Sequence, residues 1–175
     1  MHGLMMDSQL TITTIMKHAD RIHGDQEIVS VTLDNPNHRY TYRDAFRRVR
    51  QLGNALNNVG FEMSDRIATL AWNDYRHFEL YYGISCSGQI CHTINPRLFP
   101  EQITYIANHA EDQYIFVDIS FVPIVEAIEA HLPHLRGDGL ERGVHRRPEA
   151  PHFRDVGYGL SAPGIFHRRA DVRIG

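Results

Sequence analysis

The stretch from Arg66 to Asp118 constrains the fold of this chain more than any other. Arg66-Ile67-Ala68-Thr69-Leu70-Ala71-Trp72 is an apolar run that stops at Asn73-Asp74. A helix-like segment follows, then Ile90-Cys91-His92-Thr93-Ile94 and the turn Asn95-Pro96-Arg97-Leu98. A second helical segment leads into Tyr114-Ile115-Phe116-Val117-Asp118. Short apolar runs alternating with amphipathic segments are the pattern of βαβ units. The spacing therefore predicts an α/β fold with a mostly parallel sheet and flanking helices. It says more about scaffold than about chemistry.

The flanking sequence extends that scheme. Thr11 is placed to cap a helix whose apolar positions Ile12, Ile15, Ala19 and Ile22 recur at three and four, with Gly24 as its stop. Ile28 to Leu33 is rich in β-branched residues, Asp34-Asn35-Pro36-Asn37 supplies a turn, and His38 to Tyr40 returns as an antiparallel partner. Thr41 and Asp44 resemble a capping box with a shortened carboxylate, ahead of the stripe Ala45, Val49, Leu52, Leu56 and Val59. Gly60 falls at the left-handed C-cap. Asn73-Asp74 opens the helix that Gly88 ends. Pro100 and Glu101 open the next, with Ile103, Ile106, Ala107 and Ala110 on its buried side. Val122 to Leu132, with Val125 and Ile128 inward, stops at Pro133.

Charge divides the chain. Residues 1–135 hold ten basic and sixteen acidic residues, whereas residues 136–175 hold eight Arg, five acids and no Lys. From Arg136 onward Gly, Pro and Arg crowd together, and no window of ten shows helical or alternating spacing. Two readings stand: a basic tail too poor in apolar surface to order itself, or a reading frame shifted near residue 135. Arg, Gly, Pro and His without Lys is what out-of-frame GC-rich DNA yields, which favours the second. The predicted division is a scaffold over residues 1–135 and an irregular basic tail over 136–175.

Several sharper sites fail on spacing. Cys86 and Cys91 form no C-x-x-C pair and read as reduced core residues. Gly137-Asp138-Gly139 with Gly143 lacks the preceding strand and following helix of a dinucleotide loop. His131 and His134 lack a third ligand nearby in sequence. Arg43, Arg47, Arg48 and Arg50 read as a solvated helix face, and His145-Arg146-Arg147 and His167-Arg168-Arg169 do not make a nucleic-acid surface. Lys17 is the one lysine, so a phosphate-binding G-x-x-x-x-G-K-[ST] loop is absent. No apolar run reaches the roughly 18 residues of a membrane span, and no signal peptide opens the chain, so a cytoplasmic location is expected.

Asp65 to Asn73, Arg76-His77-Phe78-Glu79, His92-Thr93-Ile94-Asn95-Pro96-Arg97-Leu98 and Tyr105-Ile106-Ala107-Asn108-His109-Ala110-Glu111-Asp112 together carry a resemblance. They resemble the N-terminal portion of medium- and long-chain fatty acyl-CoA synthetases, in the AMP-forming adenylating superfamily. The resemblance covers roughly residues 8 to 135. It implies an acid–thiol ligase in which a fatty acid attacks ATP and CoA then displaces AMP. ATP, Mg2+ and CoA are the full-length family's cofactors; none is expected for this chain. The family's phosphate loop ending in Pro-Lys-Gly, its aromatic-Thr-Glu segment, its ribose-binding Asp and its C-terminal-domain lysine have no counterpart here, so no catalytic, cofactor or metal residue is carried over.

The resemblance thus implies a partial N-terminal domain of the adenylate-forming fold, with a short hairpin ahead of the sheet and a disordered tail behind it. Asn95, Pro96 and Arg97 match the family signature and read as a structural turn, and Asp65 and Arg66 as turn and sheet-edge residues. The expected function is that of an inactive fragment of a fatty acid–CoA ligase. The alternative is a non-catalytic interaction or dimerisation module, partnered by itself or by a full-length synthetase subunit. A free-standing mononucleotide binder is a third, weaker reading.

Overall fold

The computed structural model describes residue 3 and residues 6–32, 35–136, 158–162 and 165–168. Helix α1 (Ile12–His23) is followed by a two-stranded antiparallel sheet of β1 (Glu27–Ser30) and β2 (His38–Thr41). Then come α2 (Tyr42–Val59), β3 (Arg66–Leu70), α3 (Tyr75–Cys86), β4 (Ile90–Thr93), α4 (Pro100–Ala110), β5 (Tyr114–Val117) and α5 (Val122–Ile128). Two strands lie beyond residue 136, β6 (Tyr158–Ala162) and β7 (Ile165–Arg168). The main sheet runs in the order β4-β3-β5-β7-β6, with every neighbouring pair parallel except β6 and β7.

Why the strands read as nearly continuous apolar runs follows from this topology: both faces are covered. Side chains alternate across the pleat. Ile67 and Phe116 enter one core with Leu52, Ala55 and Leu56 of α2 and Leu80 and Ile84 of α3. Ala68, Leu70, Ile115 and Val117 enter the opposite core with Ile103 and Ala107 of α4 and Val125 and Ile128 of α5. Each fully buried Leu, Ile or Phe contributes about 1.5–3 kcal/mol before chain entropy is subtracted.

The helix ends follow the sequence closely. Thr41 accepts from the Asp44 N–H while Asp44 accepts from the Thr41 N–H, and Gly60 closes α2 at φ 93°. Asp74 caps α3 by accepting from the Arg76 and His77 amides. Gly24 behaves differently from expectation. Its φ of −54° is right-handed, and an added Cβ would lie 2.4 Å from the Asp20 carbonyl. Close packing, rather than a left-handed turn, requires glycine there. In α1 the buried side chain is Met16, while Ile12, Ile15 and Ile22 are exposed.

The irregular tail predicted from Arg136 needs correction in part. Arg136 is tied into the fold: its N–H donates to the Gln113 carbonyl at 2.9 Å. Tyr158–Ala162 and Ile165–Arg168 are strands, β7 pairing with β5 through Ile115↔Ile165, Phe116↔Phe166 and Val117↔His167. Strand pairing satisfies backbone groups, and an open edge on β5 recruits a partner too short to show a ten-residue pattern. Pro163-Gly164, which separates the two strands in sequence, is a turn-type dipeptide. Gly137-Asp138-Gly139, Gly143 and His145-Arg146-Arg147 lie outside the described residues, as does Arg169.

Candidate functional site

Because β3, β4 and β5 are parallel, their carboxyl ends meet at one end of the sheet. That is where ligands bind in open α/β folds. Asn95, Pro96 and Arg97 follow β4 there. The Asn95 side-chain oxygen accepts from the Arg97 N–H at 3.0 Å, and the Asn95 carbonyl accepts from the Leu98 N–H at 3.3 Å. Proline fixes the residue between them. The result is an Asx-type turn whose Asn95 and Arg97 face solvent. It delivers the chain to α4, where the Gln102 side chain accepts from the Phe99 N–H at 3.1 Å.

Beside it, the loop after β3 presents Trp72, whose indole N–H donates to the Ser120 hydroxyl at 3.4 Å and whose ring packs on Phe121. Asp74 accepts from the Arg76 guanidinium at 3.0 Å as well as from backbone. The His77 imidazole lies 2.9 Å from the Thr69 hydroxyl. Burial holds that imidazole's pKa below the ordinary histidine value, against the opposing charge of Asp74. The Cys91 thiol beside Thr69 is pushed up to about 11 by burial, and burial raises Cys86 too. Neither thiol is set up as a nucleophile.

Three side-chain pairs that each hold a buried acid escaped the sequence reading. Arg48 donates to Glu79 at 2.6 Å, and the Glu79 side chain is 3% exposed. Burial raises the Glu79 pKa, with Arg48 pulling the other way, and burial followed by the Glu79 charge raises the neighbouring Tyr40 phenol. At the opposite end of the sheet, buried Asp65 takes the Arg136 guanidinium at 2.9 and 3.2 Å. Asp112, also buried, bonds His92 Nδ1 at 2.8 Å; burial raises its pKa and His92 opposes. Arg66 pairs instead with Glu111 at 2.7 Å and donates its N–H to the Gln113 side chain. These partners lie between 20 and 71 positions apart, beyond any local pattern.

The arginine-rich face of α2 is occupied in the same way. Arg43 pairs with Asp25, Arg47 with Asp44, and Arg50 lies over the Phe46 ring. His131 offers its carbonyl to the Asn108 side chain, and among the described residues no three His, Cys, Asp or Glu are grouped to hold a metal ion. Among the described residues, no helix is long and apolar enough to cross a membrane.

A family model described as AMP-binding enzyme matches residues 16–152. The chain belongs to that family. It is 47% identical over 136 residues to the medium-chain-fatty-acid–CoA ligase of Ectopseudomonas oleovorans, covering 78% of this chain and 25% of that protein. The 3-methylmercaptopropionyl-CoA ligase of Ruegeria lacuscaerulensis is also 47% identical, with the same coverage. The crystal structure of the anthranilate CoA ligase AuaEII in complex with anthranoyl-AMP shares the fold. Its TM-score is 0.65 at 24% identity, over 72% of this chain and 24% of that one. The chain therefore spans about a quarter of the length of these AMP-binding relatives.

Proposed function

We propose that this chain is scaffold from an ATP-dependent fatty acid–CoA ligase and that alone it does not adenylate a fatty acid. One observation carries the reading: residues that build the two-faced parallel sheet are 47% identical to a medium-chain fatty acid ligase over a quarter of its length. In the whole enzyme the acid and ATP give an acyl-adenylate and pyrophosphate, and CoA then releases AMP. Such chemistry rests on held phosphate charge.

Residues in hand do not fit those groups. Among the described residues, the buried acids Asp65, Asp74, Glu79 and Asp112 are each engaged by an arginine or a histidine. Lys17 is exposed on α1. The part left to this chain is support: Asn95, Pro96 and Arg97 set the loop after β4, and the Arg48–Glu79 pair fixes α2 against α3. ATP–pyrophosphate exchange with octanoate or palmitate tests the reading. Background rates are expected, and exchange above background refutes it.

The division proposed is a scaffold over residues 1–135 and a stretch read out of frame over 136–175, in a cytoplasmic protein. Composition motivates it, while the AMP-binding match runs on to residue 152. Translating the encoding DNA in its other two frames after the Leu135 codon is the test. A Thr-Ser-Gly-Thr-Thr-Gly-like stretch within a few dozen codons is expected, and finding none in either frame contradicts the shift.

The interaction-module reading has its own support in exposed apolar residues, Ile15 and Ile22 on α1 and Ile90 on the edge strand β4. Co-purification with a full-length synthetase subunit favours it. A monodisperse monomer that ignores that subunit counts against it.

A further inference from the structure

We propose that residues 129–136 form a strap that closes the core on the α4–α5 side of the sheet, with Arg136 as its clasp. Releasing the clasp opens this core while the α2–α3 core stays shut. The inference concerns the polypeptide as it stands and does not depend on the ligase reading.

After α5 the chain makes a tight turn over Glu129–His131 and runs on to Arg136. Leu132 is buried on the way, and Leu135 packs against the same core as Val125, Ile128, Ile103 and Ala107. The Leu132 N–H donates to the Glu129 carbonyl at 3.0 Å and the Leu135 N–H to the Leu132 carbonyl at 3.2 Å. Midway, the Asn108 side chain of α4 donates to the His131 carbonyl at 2.9 Å.

The far end is held where two strands begin. The Arg136 N–H donates to the carbonyl of Gln113, the residue before β5. Its guanidinium donates to both oxygens of Asp65, the residue before β3, and lies 5.7 Å from the Tyr114 ring centre. A fork on a carboxylate fixes direction as well as distance. Asp65 also accepts from the Glu62 N–H at 2.8 Å, which holds the carboxylate in place independently of the arginine. The strap thus has an apolar middle and an ionic end. A segment bound mainly by side chains opens at lower free energy than the strands beneath it. Without Arg136, Asp65 is a buried acid that has lost its cation. Lifting the strap admits water to it. The opposite core has no share in that opening, because it is built from Leu52 and Leu56 of α2 and Leu80 and Ile84 of α3.

The test uses the full chain carrying Arg136→Gln. Hydrogen exchange over residues 122–136 should quicken by at least about 10-fold, while residues 45–56 in α2 keep their protection. Arg136→Lys should restore part of the loss, since it keeps the charge without the fork. Asp65→Asn removes the need for a cation, so adding Arg136→Gln to it should quicken exchange far less than in the unaltered chain. The proposal is overturned if Arg136→Gln leaves residues 122–136 as protected as before. It is also overturned if α2 and α5 lose protection together, since Arg136 would then support the whole fold rather than clasp a strap. An equal effect of Arg136→Gln with and without Asp65→Asn would overturn it as well.

Discussion

Arg48 on α2 donates its Nε–H to the Glu79 carboxylate on α3 at 2.6 Å, across 31 positions of sequence. Breaking such a pair strands a buried charge, whereas replacing both partners removes the problem. Glu79→Leu or Arg48→Met alone is expected to cost about 3–5 kcal/mol, and the double variant clearly less than the sum. Urea unfolding of the four proteins measures this. Simple additivity would show that the pair is not coupled.

His77 supplies a pH dependence with a definite sign. Its folded pKa is held below the ordinary 6.5 by burial. Between the two values the unfolded chain binds more protons, so stability rises with pH. The contribution is fully present above 6.5 and is lost as pH falls through the folded value. Urea midpoints should drop between pH 7.5 and 5.5, and His77→Gln should shrink that drop. An equal drop in the variant would remove His77 from the account.

The capping box at α2 behaves as a carboxylate device. Hydrogen bonds from the Thr41 hydroxyl and N–H hold the Asp44 pKa below its ordinary 3.8. Stability from the cap is therefore present above that value and is lost as acid protonates Asp44. Thr41→Ala should cost about 1 kcal/mol at neutral pH. Asp44→Asn should cost less, and its penalty should fade in acid. A penalty independent of pH would contradict the ionic part of the cap.

Gly83 lies where α3 meets α2, and a Cβ there would sit 2.6 Å from a Leu52 methyl. Gly83→Ala is expected to destabilise by about 1–3 kcal/mol through overpacking, despite alanine's better helix propensity. Adding Leu52→Val should recover part of the loss. A stabilised single variant would mean that the helices separate at no cost.

What was legible in the sequence was what local chemistry dictates. Thr11, Thr41, Asp74 and Pro100 mark helix starts because capping acts within one turn. The runs 66–72 and 114–118 announced strands buried on both faces. Asn95, Pro96 and Arg97 carried enough local chemistry to be read as a turn. Nothing near Glu79 in sequence reveals that Arg48 awaits it. Asp65 and Arg136, and His92 and Asp112, were hidden for the same reason. β6 and β7 escaped because an open edge on β5, rather than a pattern of their own, makes them strands.

The proposed function makes this polypeptide scaffold from an AMP-binding enzyme that does not by itself act on nucleotide. Thermal unfolding with and without millimolar ATP, AMP and Mg2+ tests it most directly, because a ligand that binds only the folded chain must raise its melting temperature. An unchanged melting temperature is the expected result. A rise that saturates with nucleotide concentration would contradict the account.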